Sequence, residues 1–451
     1  MLRISSFLFS PLLLFSQTLF TQETIQEYLV ESNPYYYASI AKEAVSRERE
    51  NVFQSVFDTQ FNMKYDTKRY PTTEGDYRQV DLTKAIGNGM EFSVAYRDAQ
   101  GTQEYNNIKT GQEGEVYTSV NIPVLSLINN TSKNELDLQV AQLKTKELSQ
   151  GSKKKILKLY LLTSKIYFEL LLNRSVYLTE KDLLNKAKLN YEFIAKEVRG
   201  GKRAKIALID VQSQIINRKQ RLLSAENRYQ NLENTFLKYL NISKETFYKR
   251  YTLPSIKIEE GKDEELYLGA QEIALKNRPE FQEIEYLLDK VDLQSQYNDI
   301  SKYPKFDIRL NGVYDLAYKE NGYKVAMAFN FPLERSDYKG RDESYKKEKI
   351  LLQNSKLTIK NDIQVNIRNI IQKASLQKQN IQLADEEISL VEQLESAERR
   401  RYQEGLSSLL FVNQREILSL KAQQKLLHYY FELQLLHLQL KYELGILLQK
   451  S

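Results

Sequence analysis

Short stretches of this chain alternate apolar and polar residues almost without error, inside a sequence otherwise written for long helices. From Phe57 to Tyr65 the odd positions are Phe57, Thr59, Phe61, Met63 and Tyr65, while Asp58, Gln60, Asn62 and Lys64 take the even ones. Successive side chains of a strand face opposite ways, so this segment has one apolar and one polar face. The pattern returns in Phe306, Ile308, Leu310 and Tyr314 against Asp307, Arg309 and Asn311, and again in Tyr323, Val325, Met327, Phe329 and Phe331. Each stretch has about nine to eleven residues, the length a tilted strand needs to cross a bilayer. After the first residues no apolar run reaches roughly eighteen, the length of a spanning helix. A chain of this kind that is integral to a membrane therefore has to form a closed barrel.

The start of the chain has its own signal. Arg3 precedes an apolar run from Ile4 to Phe15, and the sequence turns polar at Gln17 and Thr18. This is the pattern of a secretory signal peptide, assigned to residues 1–20 with cleavage between Ser16 and about Gln22. With no cysteine, the chain has no lipid-bearing cysteine, disulfide, zinc-thiolate site or cysteine nucleophile. A mean hydropathy of -0.54, 8 prolines, 16 glycines and no tryptophan suit long amphipathic helices better than compact domains. Several of the 31 tyrosines lie in or beside the alternating stretches, where a barrel places its interfacial girdles. The net charge of +6 comes from mixed bases and acids, a solvated helix surface with no nucleic-acid signature.

The chain divides into halves with the same order of elements. Residues 21–260 contain a helix from about Thr24 to Val56, strands at 57–67 and 116–122, and long helices over 126–240 broken at Gly200 and Gly201. Residues 261–451 contain a helix from Glu265 to Tyr303, strands at 306–315 and 323–331, and long helices over 342–445 broken at Gly405. The tetrads Asn121-Ile122-Pro123-Val124 and Asn330-Phe331-Pro332-Leu333 each sit where a strand hands over to a long helix, and an internal duplication accounts for both. Narrow stripes such as Ile381, Ala384, Ile388 and Val391, or Leu136, Val140 and Leu143, suit helix-to-helix packing of the coiled-coil type. Residues 68–114 add alternating material, Met90, Phe92, Val94 and Tyr96, which reads as an extra hairpin or long loop at the outer end of the barrel.

This order, the duplication, the two Asn-x-Pro tetrads and the segment from Tyr402 through Gly405 to Phe411 and Val412 resemble the TolC-type outer-membrane efflux and secretion channels. The resemblance spans essentially the whole chain after the signal. It implies a mainly α fold with a membrane β-barrel. Four strands from one chain are too few to close a barrel, so three copies would supply twelve, continued by a long α-helical periplasmic tunnel. It also implies outer-membrane lipid around the barrel of a diderm bacterium, a periplasmic adaptor, an inner-membrane transporter, and no cofactor. Such a channel conducts and breaks no bond.

The same resemblance assigns the site residues. The turns Gly200, Gly201, Lys202 and Gly405, Leu406, Ser407 become the periplasmic tip where an adaptor docks. Glycine suits such turns because it takes positive φ at low cost. The family's acidic constriction falls six and nine residues beyond the second glycine, where this chain has Phe411 and Gln414. The acidic ring is therefore missing, and Phe411 becomes a candidate apolar plug beside a polar Gln414 lining. The alternative is that Phe411 packs between helices. Asp210 and Tyr402 form a candidate latch, although a solvated Asp210 is the simpler reading. His428 and His437 are too far apart on a helix to share a metal, and no phosphate loop or nucleophile elbow occurs. The competing readings are a periplasmic coiled-coil scaffold or adaptor without a pore, and a helical secreted adhesin. Neither accounts for the alternating strands.

Overall fold

The computed structural model describes residues 17–101, 110–255 and 269–449 and is mainly helical with one large sheet. The signal-peptide assignment falls largely outside the described residues. The chain forms two compact units, one drawn from 40–152 and 279–359 and the other from the described parts of the remaining sequence.

The first unit carries the sheet. Its strands, numbered in chain order after a short β1 (Thr18–Leu19), are β2 (Gln60–Tyr70), β3 (Thr73–Ala85), β4 (Glu91–Gly101), β5 (Glu115–Pro123), β7 (Lys305–Asp315) and β8 (Glu320–Asn330), with β6 (Tyr251–Thr252) in the other unit. The order is β2-β3-β4-β5-β7-β8, antiparallel throughout. The expectation of four strands from one chain in this sheet is therefore corrected to six among the described residues. The region 68–114, read as an extra hairpin or loop, contributes β3 and β4 as full neighbours within the sheet. The alternation of β3 is masked in the sequence because Arg78 and Lys84 flank Val80 and Leu82 on its apolar face, while Tyr77 stands on the polar one. Between β3 and β4 the turn is closed by Ile86 N donating to Met90 O at 2.9 Å, with Gly89 at φ +86°. That left-handed conformation is one glycine adopts without strain.

The helices are α1 (Ile25–Tyr28), α2 (Pro34–Gln54), α3 (Val124–Ile128), α4 (Lys133–Arg199), α5 (Ile206–Leu240), α6 (Lys244–Arg250), α7 (Ala270–Asn277), α8 (Pro279–Ile300), α9 (Ser336–Gln403) and α10 (Leu409–Glu443). The 67 residues of α4 and 68 of α9 correspond to roughly 100 Å of helix each at 1.5 Å per residue. No described helix is long and apolar enough to cross a membrane.

Asn33 starts α2 and joins it to α5. Its Oδ1 accepts from Tyr35 N at 2.9 Å, and its Nδ2 donates to Tyr28 O at 3.0 Å and Tyr239 O at 2.9 Å. A side chain that caps a helix while satisfying carbonyls from two other elements fixes all three.

The core of the second unit is aromatic. Phe20, fully buried, lies 5.1 to 5.7 Å, ring to ring, from Tyr167, Phe236, Phe247 and Tyr251. Parallel pairing of β1 with β6 delivers it there, and Tyr167 Oη donates to Phe20 O at 2.7 Å. Residues 18–20, within the stretch read from the sequence as leader, are thus part of the second unit's packing.

Burial of phenols in this core makes the fold alkali-sensitive. Burial pushes Tyr28 up to about 12 and raises Tyr167 and Tyr248 further. Between the free-phenol value near 10 and these raised values, the folded chain holds more protons than the unfolded one, so stability falls as pH rises. Thermal unfolding should thus be insensitive to these groups below about pH 9 and shift downward above about pH 10. Tyr167→Phe should flatten that alkaline decline, which melting curves between the two pH values will measure.

Candidate functional site

Two regions of the chain have the geometry of a working surface. At the far ends of the long helices, α4 and α9 close with the same cap. Lys202 N donates to Glu197 O at 2.9 Å and Gly201 N to Val198 O at 3.1 Å; Leu406 N donates to Arg401 O at 2.8 Å and Gly405 N to Tyr402 O at 3.1 Å. Gly201 at φ +72° and Gly405 at φ +79° supply the left-handed residue that this cap needs. Both pairs of bonds satisfy carbonyls that a helix end leaves free, and the chain can then reverse. In the second turn Ser407 Oγ donates to Glu398.

The two turns meet through a small core of Ile194, Val211 and Leu409, with Tyr191, Leu208 and Tyr402 packed beside it. Arg203 connects them further. Its guanidinium donates to the Tyr402 hydroxyl, lies 4.3 Å from the centre of the Tyr402 ring, and is ion-paired with Glu197. A short way along the helices, Glu416 accepts from Arg218 at 2.6 Å and from Arg399, tying α10 to α5 and α9.

The candidate site residues separate accordingly. Tyr402 is bound within the tip, but its partner is Arg203; Asp210 is exposed on α5 and makes no hydrogen bond to Tyr402. Phe411 is 54% exposed and Gln414 is exposed, whereas Val412 and Asn413 between them are buried. Within a single chain, then, Phe411 does not take the packed position that was its alternative. Leu406 and Leu410 are also exposed, at 67% and 61%, beside Phe411. Sequence reasoning missed Arg203. A cation two residues beyond the Gly-Gly pair was the available signal.

The second region is the sheet. One face is mostly apolar: Met63, Val80, Tyr96, Val116 and Tyr314 follow one another across the pairing, as do Leu82, Val94 and Thr118, then Phe92, Val120, Leu310 and Val325, with Lys84 at the β3 end of that last row and Arg78 opposite Asp98 nearer the other end. Met63 and Phe329 on this face are 72% and 69% exposed. The opposite face is polar and internally bonded. Asp81 accepts from Asn62 at 2.9 Å, Gln79 at 2.7 Å and Thr83 at 3.0 Å; Arg97 pairs with Glu115 and lies 4.5 Å from the Tyr117 ring. An exposed apolar face backed by satisfied polar groups is what a wall between lipid and water requires. Among the described residues no group of three or more potential ligands gathers to hold a metal.

No family model and no curated protein matches the sequence. Solved structures do match in fold. The outer-membrane protein VceC from Vibrio cholerae aligns over 94% of this chain and 96% of its own, with a TM-score of 0.69 and 14% identity. The CmeC outer-membrane channel of Campylobacter jejuni covers 95% of this chain and 87% of its own at a TM-score of 0.69 and 10% identity. The open MtrE outer-membrane channel of Neisseria gonorrhoeae covers 95% and 90% at a TM-score of 0.68 and 12% identity. Near-complete overlap in both directions, including sheet and long helices, gives this chain the fold of the TolC-type outer-membrane channels.

Proposed function

We propose that three copies of this chain form a passive outer-membrane duct, which receives substrates from an inner-membrane transporter through a periplasmic adaptor and releases them outside. The observation that carries this reading is a sheet with one largely apolar, exposed face whose outer strands, among the described residues, are β2 and β8. In hydrocarbon an open edge leaves backbone donors and acceptors unsatisfied, so such a sheet is completed by further copies. Efflux and type I secretion both use this arrangement, and neither requires a catalytic residue. The scaffold and adhesin readings leave the apolar face without a role.

In this reading the turns at Gly200, Gly201, Lys202 and Gly405, Leu406, Ser407 present the adaptor-docking tip. Exposed Phe411 and Gln414 line the constriction, where three phenyl rings would exclude water. Phe411→Ala should raise the closed-state conductance of channels in planar bilayers; conductance equal to the parent would eliminate the plug. The assembly itself is tested by the native mass of detergent-extracted protein from the outer-membrane fraction. A trimer is expected, and a chain that stays monomeric or soluble without detergent would refute the duct.

A further inference from the structure

We propose that each copy contributes six strands to the membrane wall, so that the trimeric duct is an eighteen-stranded barrel rather than a twelve-stranded one. The proposal rests on the trimeric reading above and goes beyond it. Its basis is the β3–β4 hairpin. This hairpin neither caps the sheet nor folds across it: β3 pairs with β2 from Thr73 to Thr83, and β4 pairs with β5 from Glu91 to Arg97. At the helix-proximal end, the row Glu91, Asn121, Arg309 runs level across β4, β5 and β7, so the hairpin begins at the same depth as the other strands. Strands β3 and β4 have 13 and 11 residues, enough to span a bilayer at the usual tilt.

Side-chain chemistry separates a wall from a plug or an extracellular flap. A plug would bear polar residues on both faces, and a flap above the bilayer would need no apolar face. Here Val80, Leu82, Phe92, Val94 and Tyr96 continue the outward rows of Phe61, Met63, Val116 and Tyr314, and the charges on that face of the hairpin, Lys84 at one end and Arg78 opposite Asp98 towards the other, stand outside this apolar band. Leu82 and Val94 are 51% and 55% exposed, as a lipid-facing position requires. Asp81, Thr83, Ser93 and Arg97 stand on the polar face with the inward groups of the neighbouring strands.

The edges fit a second copy of this chain. Strands β2 and β8 lie at opposite ends of the six-stranded order and run in opposite directions. Placing β8 of one copy beside β2 of the next therefore continues the antiparallel alternation, and an even strand total preserves it around the ring. Both edges put apolar residues outward, Phe61, Met63 and Tyr65 on β2 and Tyr323, Val325, Met327 and Phe329 on β8. Barrel diameter grows roughly linearly with strand number, so eighteen strands widen the barrel about 1.5-fold over twelve and leave a water-filled lumen. The barrel then sets no size limit, and selection by size falls to the helical tip.

The strand count can be read directly by electron cryo-microscopy of the full chain in lipid nanodiscs, with eighteen strands expected around a three-fold axis. A threefold ring of twelve would overturn this inference and leave the duct reading intact, whereas absence of a three-fold axis would remove both. A second measurement exploits the cysteine-free background. Leu82→Cys, Val94→Cys and Met327→Cys, each carrying a fluorophore, are reconstituted with lipids brominated on their acyl chains. Quenching at Leu82→Cys and Val94→Cys equal to that at Met327→Cys is expected. Protection from brominated lipid with quenching by aqueous iodide at the two hairpin sites would place the hairpin in the water and refute the proposal.

Discussion

Phe20→Ala should be the most damaging single substitution in the helical core, costing about 3–5 kcal/mol, the usual range for removing a fully buried phenyl ring. The ring is 0% exposed and sits among Tyr28, Tyr167, Phe236, Phe247 and Tyr251, whose centroids lie 5.1 to 6.4 Å away. Those partners come from α1, α4, α5, α6 and β6, so the cavity would loosen every element that meets there. Relaxation cannot fill it cheaply, because the backbone on either side is held: Phe20 N donates to Thr252 O at 2.9 Å, and Tyr167 Oη donates to Phe20 O at 2.7 Å. Phe411→Ala provides the control. Phe411 is the same residue type at 54% exposure, and its loss should move stability by no more than about 0.5 kcal/mol. Thermal denaturation of the two variants, followed by helical circular dichroism, should separate them by many degrees. Equal melting of both would mean that the strap at residues 18–20 is not part of the folded core.

How far the sequence disclosed this structure depended on whether a residue's neighbours were local. Strands β7 and β8 were legible because every second residue faces one environment, and nothing interrupts Tyr323, Val325, Met327 and Phe329. Strand β3 was not, since its apolar row begins and ends with the charges Arg78 and Lys84, which a pattern reading counts as a break. The first strand lay three residues later than expected, because Ser55–Phe57 continues the preceding helix as a 3-10 turn and takes Phe57 out of the alternation. The turn glycines could be placed in advance, as positive φ is a local demand. Phe20 could not. A three-residue segment carries no periodicity, and all its ring partners but Tyr28 lie more than a hundred residues away. The same holds for the latch: Asp210 was chosen by position, but α5 turns Leu208 and Val211 toward the tip core and leaves Asp210 in solvent.

In the proposed duct, Arg203→Ala should shift the tip toward an open form by roughly tenfold. Arg203 and Tyr402 lie 199 residues apart, yet their contact joins the turn after α4 to the last turn of α9. A hydrogen bond from a charged donor contributes about 1.5–3 kcal/mol, and a cation over a tyrosine ring at an accessible site adds about 0.5–1 kcal/mol. Part of this is lost to solvent, since the Arg203 side chain remains 25% exposed, and about 1.4 kcal/mol, a factor of ten, is a reasonable remainder. The contact biases gating only to the extent that the two turns separate when the tip opens. Tyr402→Phe keeps the ring and loses only the acceptor, so its leak should fall between those of the parent and Arg203→Ala. Asp210→Asn, which touches neither partner within the chain, should leave the leak unchanged unless a neighbouring copy uses it. Single-channel recording at low voltage orders the three variants. A graded series ending at Arg203→Ala assigns the latch to the Arg203–Tyr402 pair, whereas a leak in Asp210→Asn with a silent Arg203→Ala would move it to the contact between copies.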